Sequence, residues 1–219
     1  MRLAHLFVGT GLIVASVSAV GQTTLGHIGG LANAGYSQCS SNLMVVQSAT
    51  ASPYSYTVPQ NGTITSWSFA SPSPGFGGNT EALVILRSTG GSNYTIVGIT
   101  SPQTVAEGQA GTFSTSIAVQ TGDLVGLWIP PATQSFCLYP GTSGDAIPFN
   151  AVPNPSAGNS VSLSFGPIAN YLANISATLS PPQPSTTAVP TLSELGLLSL
   201  AVAILAAAGS SFRRRSGWF

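Results

Sequence analysis

The sequence predicts an all-β protein: a two-sheet antiparallel sandwich, jelly-roll-like, between an N-terminal signal peptide and a single C-terminal transmembrane helix. Several short runs alternate apolar and polar residues along the chain, as half-buried strands do. Turns rich in Gly, Pro, Asn and Ser separate these runs. No stretch before residue 190 shows helical periodicity. Packing sheet on sheet is therefore the architecture that buries the apolar faces.

The N-terminus has the features of a secretory signal peptide, which we assign to residues 1–21. Arg2 supplies the positive charge, an apolar stretch covers 6–20, and small residues lead up to Ala19. The apolar stretch is short for a membrane span. Cleavage after Ala19 and cleavage after Gly21 both fit the pattern.

The central part of the chain, residues 22–180, has the length of one domain and carries almost no charge. The whole chain lacks lysine, and within this domain one arginine stands against four carboxylates, a net charge of −3. Because there is no basic surface, nucleic acid is excluded as a partner. Ser, Thr, Asn and Gln must supply the polar surface, which is typical of extracellular β-proteins.

Ten runs of this domain are predicted as strands, and the first of them has the weakest pattern. They are 43–47, 54–58, 64–69, 82–86, 93–100, 113–119, 124–129, 135–139, 161–165 and 171–179. The runs 82–86 and 124–129 are apolar on both faces, which predicts central strands. The alternation places the following residues in the core: Trp67, Phe69, Phe113, Ile117, Leu163, Phe165 and Ile175.

Two predicted loops interrupt the strands. Residues 71–79 are rich in proline and glycine, and residues 140–159 contain four prolines and three glycines. Loops of about twenty residues are usually functional or disordered, and this one contains Asp145, Phe149 and Asn150. A proline-stiffened crossover is favoured over a functional loop.

Cys39 and Cys137 are the only two cysteines, so a single intramolecular disulfide is available to them in an oxidising compartment. A bridge closing about 100 residues would stabilise the fold by about 4 to 5 kcal/mol in the chain-entropy account. The alternative is a pair of buried free thiols. A metal site is less favoured because His27 is the one histidine after the signal peptide, and no cofactor is expected.

No catalytic site is predicted, and the chain is expected not to be an enzyme. A Ser-His-Asp triad would need His27, which is predicted to lie outside any strand. A glycosidase needs two facing carboxylates about 5 to 10 Å apart. The carboxylates of the domain are each predicted at a turn or strand edge, and they are Glu81, Glu107, Asp123 and Asp145. Gly122-Asp123 in particular predicts a tight turn before the 124–129 strand.

Three functions remain as alternatives. The first is an exported, non-enzymatic structural protein of the surface or matrix. The second is a carbohydrate-binding or adhesive module that contacts surface polysaccharide through Trp128 and Tyr139 as ligand-facing aromatics. The third is an extracellular hydrolase. Packing of Trp128 on the second face of a central strand competes with the binding role, so exposed aromatics would favour a binding module and buried ones a scaffold.

The C-terminal region combines a linker, an apolar span and a basic end. A Pro/Ser/Thr linker at 181–188 precedes the region 189–219. Residues 192–212 include Glu194 as their one charge, and about 20 apolar residues cross a bilayer as a helix. The basic stop, Arg213-Arg214-Arg215, follows directly and favours the cytoplasmic side.

A specific motif stands immediately before this span. The motif is Val189-Pro190-Thr191-Leu192-Ser193-Glu194-Leu195-Gly196. With the span and the arginines it resembles the IPTL-type C-terminal sorting domain, a relative of the PEP-type signals that exosortase-like enzymes of Gram-negative bacteria handle. The resemblance covers about thirty of 219 residues, with Val189 where Ile is usual and Leu195 where Trp is usual.

This resemblance implies a partner and a location. The partner is a processing enzyme of the inner membrane, which cleaves near Pro190-Thr191. The domain would first lie in the periplasm, anchored to the inner membrane, and would reach the cell surface or the medium after processing. Permanent anchoring without processing stays open as the alternative.

A second resemblance concerns the domain itself. The segment from Tyr54-Ser55-Tyr56-Thr57-Val58-Pro59 to Gly122-Asp123-Leu124-Val125-Gly126-Leu127 is similar to a loose group of secreted bacterial jelly-roll domains. It covers about eighty residues and implies the fold, but no activity.

Overall fold

The computed structural model describes residues 21–75 and 77–182, and this part of the chain contains fifteen β-strands and no helix. The strands are β1 (Thr23–His27), β2 (Ser37–Cys39), β3 (Leu43–Val46), β4 (Gly62–Ser71), β5 (Gly78–Gly90), β6 (Asn93–Ile99), β7 (Gln103–Ala106), β8 (Gln109–Val119), β9 (Leu124–Trp128), β10 (Ser135–Pro140), β11 (Ala146–Ala151), β12 (Ser160–Ser162), β13 (Phe165–Ala169), β14 (Tyr171–Ala173) and β15 (Ile175–Ser180). Residues 1–20 of the predicted signal peptide, the 189–196 motif, the predicted membrane span and Arg213-Arg214-Arg215 lie outside the described residues.

The strands form three sheets, and every pairing between them is antiparallel. One sheet has the order β1-β15-β4-β8 and a smaller one the order β14-β10-β2. The largest has the order β12-β6-β5-β9-β3-β11-β13, and β7 pairs with the first residues of β5. Strands distant in sequence are thus neighbours in each sheet.

The largest sheet is strongly curled. Its two edge strands, β12 and β13, are separated in the chain by Leu163 and Ser164 alone. Seven flat strands would hold their edges about 29 Å apart, at about 4.8 Å per strand. Three Cα–Cα steps from Ser162 to Phe165 reach at most about 11 Å. The sheet must therefore bend until its two edges approach each other.

Both faces of the curled sheet are covered, each by its own apolar core. In β9, Val125 and Leu127 enter a core that also holds Trp67 of the four-stranded sheet. Trp128 points the other way, into a second core inside the curl. The buried members of the second core are Met44, Val46, Ala82, Val84, Leu86, Tyr94, Ile96, Trp128 and Leu163. The prediction that 82–86 and 124–129 form central strands is confirmed. Both runs lie inside the largest sheet, and each face of that sheet packs against an apolar core.

The all-β class is confirmed, and most predicted strands occur, but several boundaries differ. The segment 54–58 forms only an isolated bridge from Thr57 to Leu124, although Tyr56 is buried. The predicted strand 161–165 is split between β12 and β13. The prediction of a loop at 140–159 is wrong, because β11 lies within it and pairs with β3 and β13.

The predicted core is confirmed at four of its seven positions, since Trp67, Phe69, Leu163 and Ile175 are each at most 1% exposed. Phe113 and Ile117 are partly buried, because β8 is an edge strand. The prediction for Phe165 is wrong, since its side chain is 57% exposed. The chain crosses to the other edge of the curled sheet after Leu163, and the Phe165 ring stacks on Phe149 with 5.6 Å between centroids.

Candidate functional site

Cys39 and Cys137 form a disulfide bond, as predicted. They lie on the paired strands β2 and β10, where Ser135 stands opposite Cys39. Their Cα atoms are 5.8 Å apart, a normal separation for a disulfide. Both are buried, and no free thiol remains among the described residues. The bond joins positions 98 residues apart and fits an oxidising, exported location.

Trp128 and Tyr139, the predicted ligand-facing aromatics, are each only 8% exposed. The indole Nε1 of Trp128 donates to the carbonyl oxygen of Val152 over 2.9 Å. The hydroxyl of Tyr139 shares a 2.9 Å hydrogen bond with Nδ1 of His27. Their ligand-facing role stays a prediction, and this burial favours the packing interpretation.

His27 lies at the end of β1 and not outside a strand as predicted. Its ring stacks on Tyr54, with centroids 4.0 Å apart. Tyr36 packs beside Tyr139 at 6.0 Å, and its hydroxyl donates to the carbonyl of Gly30. Burial lowers the pKa of His27, which favours the neutral imidazole. Because the ring pairs with a tyrosine and not a carboxylate, this cluster lacks the orienting acid of a catalytic triad.

Sequence reasoning missed most of this aromatic cluster. Three of the six tyrosines, Tyr36, Tyr54 and Tyr56, fall within one short segment, and that local concentration was the available signal. Tyr56 donates its hydroxyl to the carbonyl of Ala173 over 2.7 Å. Burial, and secondarily the charge of Glu81, raises the pKa of Tyr36 to about 12. The Tyr36 phenol is therefore a neutral hydrogen-bonding group.

Arg87 and Asp123 form a two-point ion pair. Nε and Nη2 of Arg87 donate to the two carboxylate oxygens over 2.7 and 2.9 Å. The backbone N–H of Gln120 also donates to Asp123, closing the predicted turn, in which Gly122 has a φ of 89°. A positive φ of this size favours glycine. Asp123 thus holds the turn that leads into β9.

Asp145 is 1% exposed and accepts several hydrogen bonds. The backbone N–H groups of Ala51, Ser52 and Thr142 donate to it, as do the hydroxyls of Ser52 and Thr142. Burial would raise the pKa of Asp145, but the hydrogen bonds from Ser52, Thr142 and Ala51 outweigh it, so the pKa is lowered. This carboxylate fastens the segment at 51–52 to the turn before β11.

Glu107 serves the 71–79 loop in a similar way at the surface. Its carboxylate accepts hydrogen bonds from the hydroxyl of Ser73 and from the N–H of Gly77. The backbone N–H groups of Gly75 and Gly77, and then the Ser73 hydroxyl, lower the pKa of Glu107. The carboxylate is therefore a structural acceptor that binds the loop between β4 and β5 to the turn before β8.

Glu81 lies within β5, not at a turn or strand edge as predicted, and its side chain is fully buried. The hydroxyl of Ser135 donates to Oε1, and Oε2 has no hydrogen-bond partner among the described residues. Burial raises the pKa of Glu81 to about 8, although the bond from Ser135 opposes the shift. The side chain is therefore mostly a neutral carboxylic acid at pH 7.

A groove of about 360 Å³ lies beside Phe165, one of two large hydrophobic side chains that are exposed among the described residues. Tyr94, Pro148 and Pro167 contribute apolar surface, and serine hydroxyls, including that of Ser92, contribute polar surface. No described residue lining the groove is charged. Phe165 is the feature here that sequence reasoning assigned to the core.

The remaining observations concern metals, membranes and known proteins. In the ranges 21–75 and 77–182, no three His, Cys, Asp or Glu side chains converge on a point where they could hold a metal ion. Over the same ranges, no helix has the length and hydrophobicity of a membrane span. Comparison with protein-family models, curated proteins and solved structures finds no match to this chain.

Proposed function

We propose that this chain is an exported, non-enzymatic structural protein of the cell surface or matrix, delivered by its C-terminal sorting signal. The observation that carries the proposal is the use of charge. Of the five Asp, Glu and Arg side chains in the described residues, Arg87 and Asp123 form an ion pair, Asp145 and Glu107 accept hydrogen bonds from loops, and Glu81 is fully buried. None of the five is an unpaired charge on the surface of the described residues.

This arrangement supports a non-enzymatic role. A hydrolase needs two carboxyl groups, or a carboxyl group and a histidine, converging on one substrate. Here Asp123 is paired with Arg87, Asp145 is enclosed by donors, and His27 pairs with Tyr139. The polar surface consists mainly of neutral hydroxyl and amide groups, which suit a protein that works by its shape and contacts.

The finer fold proposed for the domain is a jelly-roll-like sandwich. It is supported by the core that the four-stranded sheet and the curled sheet share, and by the crossovers between them. The disulfide, whose two cysteines belong to this core, suits an exported domain, because disulfides persist in oxidising compartments. The linker at 181–188 would hold the domain off the membrane.

Delivery is tested by changing the motif without changing hydrophobicity. In a Gram-negative host carrying the cognate processing enzyme, Pro190→Ala with Thr191→Ala should cause a larger, membrane-retained precursor to accumulate. The matched control is Pro184→Ala with Thr186→Ala, the same chemical change within the linker, which should be processed normally. If the double variant and the parent had the same size and the same membrane fraction, the motif would have no role in processing.

The groove at Phe165 favours a second candidate, a carbohydrate-binding or adhesive module. A neutral sugar ring could stack its C–H face on the exposed phenyl ring while serine hydroxyls bind its hydroxyls. Retention on polysaccharide columns should then fall in Phe165→Ala and stay unchanged in Leu31→Ala, since Leu31 is the other large apolar residue that is exposed in the described part of the chain, at 45%. Equal retention of both variants and the parent would exclude this groove.

A further inference from the structure

Asn61-Gly62 is the one Asn-Gly pair in the sequence. The backbone nitrogen that follows an asparagine can attack the side-chain amide carbon and close a cyclic imide, because both groups are held close together. Glycine favours this attack, since it has no Cβ to crowd its nitrogen. In the fold, Asn61 is exposed and stands directly before β4, which begins at Gly62. The pair is therefore open to solvent at the entrance to a strand.

The side-chain amide of Asn61 is held by Thr121. The backbone N–H of Thr121 donates to Oδ1 of Asn61 over 3.0 Å, and the Thr121 hydroxyl donates to the same oxygen over 3.4 Å. Two donors on one carbonyl oxygen withdraw electron density from Cγ, the carbon that the nitrogen attacks. They also lie where negative charge develops on Oδ1 during the attack, as the donors of an oxyanion hole do.

We propose that Asn61 converts spontaneously to aspartate and isoaspartate through a cyclic imide with Gly62. The nitrogen of Gly62 loses its proton to solvent hydroxide and forms a bond to Cγ of Asn61. The amide nitrogen of Asn61 takes up a proton and leaves as ammonia, so that a succinimide remains. Water then adds to one of the two ring carbonyl carbons, and the C–N bond that breaks there decides between aspartate and isoaspartate.

Both products change the molecule at this place. Aspartate adds a carboxylate to a groove of about 470 Å³ that Asn61 lines together with Arg87, whose guanidinium already pairs with Asp123. Isoaspartate adds a methylene to the main chain directly before Gly62, which pairs with Val119 of β8. The isoaspartate form should therefore unfold at a lower urea concentration than the parent. The reaction needs only water and hydroxide, and it is independent of the function proposed above.

Asn159 provides a matched comparison within the same chain. It is exposed, and its Oδ1 accepts hydrogen bonds from the backbone N–H of Ser156 over 3.0 Å and from the Ser156 hydroxyl over 2.7 Å. The residue that follows it is Ser160, whose side chain crowds the attacking nitrogen. The two asparagines thus share a pair of donors and differ in the following residue.

The first test follows both asparagines in the full chain, kept in one detergent at mildly alkaline pH. Peptide mass spectrometry should show the change from amide to acid at position 61 at least about tenfold faster than at position 159, because crowding disturbs the attack geometry. Labelling by an isoaspartyl methyltransferase should identify the isoaspartate. An unmodified position 61, or equal rates at the two positions, would overturn the proposal.

A gain of reactivity tests the part played by glycine. Ser160→Gly removes the crowding beside Asn159 and should raise conversion there towards the rate at position 61. The change is made at Ser160 because Gly62 is also needed for packing: a Cβ at Gly62 would lie 2.5 Å from the carbonyl oxygen of Ser180. An unchanged rate at position 159 in a variant with the parent's circular dichroism would contradict the mechanism.

The last test measures the contribution of Thr121. Thr121→Val keeps the shape of the side chain and removes its hydroxyl donor. Conversion of Asn61 should slow by up to about tenfold, less than for a buried oxyanion donor, because this hydrogen bond is long and exposed. Thr121→Ser keeps the hydroxyl and should convert at the parent's rate. An unchanged or faster conversion in Thr121→Val would refute the assistance by Thr121.

Discussion

Glu81 and Asp145 are two carboxyl groups with nearly the same burial and opposite chemistry. They are 0% and 1% exposed, yet the pKa of Glu81 is raised to about 8 and the pKa of Asp145 is lowered. Asp145 is surrounded by backbone and hydroxyl donors, whereas Glu81 has among the described residues one donor, Ser135, and one oxygen without a partner. Burial alone thus does not set the charge of a carboxyl group; the number of donors decides it.

The largest loss should follow removal of the Asp145 carboxylate. Asp145→Ala leaves several buried N–H and hydroxyl groups without an acceptor, so the free energy of unfolding should fall by about 3 kcal/mol. Asp145→Asn keeps one acceptor oxygen and should lose less. Urea unfolding at pH 7 measures the stability of both variants. A loss of unfolding free energy smaller than that of Glu107→Gln would show that the hydrogen bonds to Asp145 do not stabilise the fold.

The next effect should come from the single donor to Glu81. Ser135→Ala removes the bond that opposes the burial effect, so the pKa of Glu81 should rise above about 8. The free energy of unfolding should fall by about 1 to 2 kcal/mol, because both carboxyl oxygens are then unpaired. Ser88→Ala, at an exposed serine, is the control. An unchanged stability in Ser135→Ala would mean that this hydrogen bond contributes nothing.

A smaller effect is expected for the ion pair beside β9. The side chain of Arg87 is 41% exposed, so solvent screens its attraction to Asp123. Arg87→Gln should lower the free energy of unfolding by about 1 kcal/mol or less. Added salt should shrink the difference from the parent. A difference in unfolding free energy that persists at high salt would contradict a solvent-screened pair of Arg87 and Asp123.

The smallest effect is expected at the surface. Glu107→Gln keeps an acceptor for Ser73 and Gly77, and water can satisfy these exposed groups as well. Thermal unfolding of the variant should coincide with that of the parent at pH 7. A clear fall in the unfolding temperature would show that the 71–79 loop depends on this charge.

Much of the fold could be predicted from the sequence, because alternation directly reports which face of a strand is buried. β11 was not predicted because Pro148 interrupts its alternation, and β2 and β7 were not predicted because they are short and polar. Glu81 was misplaced because β5 begins earlier than the apolar run 82–86. Extending the alternation backward would have put Glu81 on the same face as Leu83 and Ile85.

The environment of each carboxyl group could not be predicted in this way. The donors to Asp145 at Ala51 and Ser52 are more than ninety residues away in the chain, and Ser135 is 54 residues from Glu81. Nothing local in the sequence indicates these partners. The sequence therefore shows how many charged groups the domain has, but their hydrogen-bond partners are known only from the tertiary fold.

The measurement that tests this account most directly is the free energy of unfolding of the parent and of Glu81→Gln from pH 5 to 9. The folded pKa of about 8 lies above the ordinary value of 4.5, so the folded state binds a proton that the unfolded state releases. The stability that this proton contributes is fully present below pH 4.5 and is lost as the pH rises through about 8, at about 1.4 kcal/mol per pH unit. We expect the parent to lose stability relative to Glu81→Gln across this range. Parallel curves for the two proteins would contradict a neutral, buried Glu81.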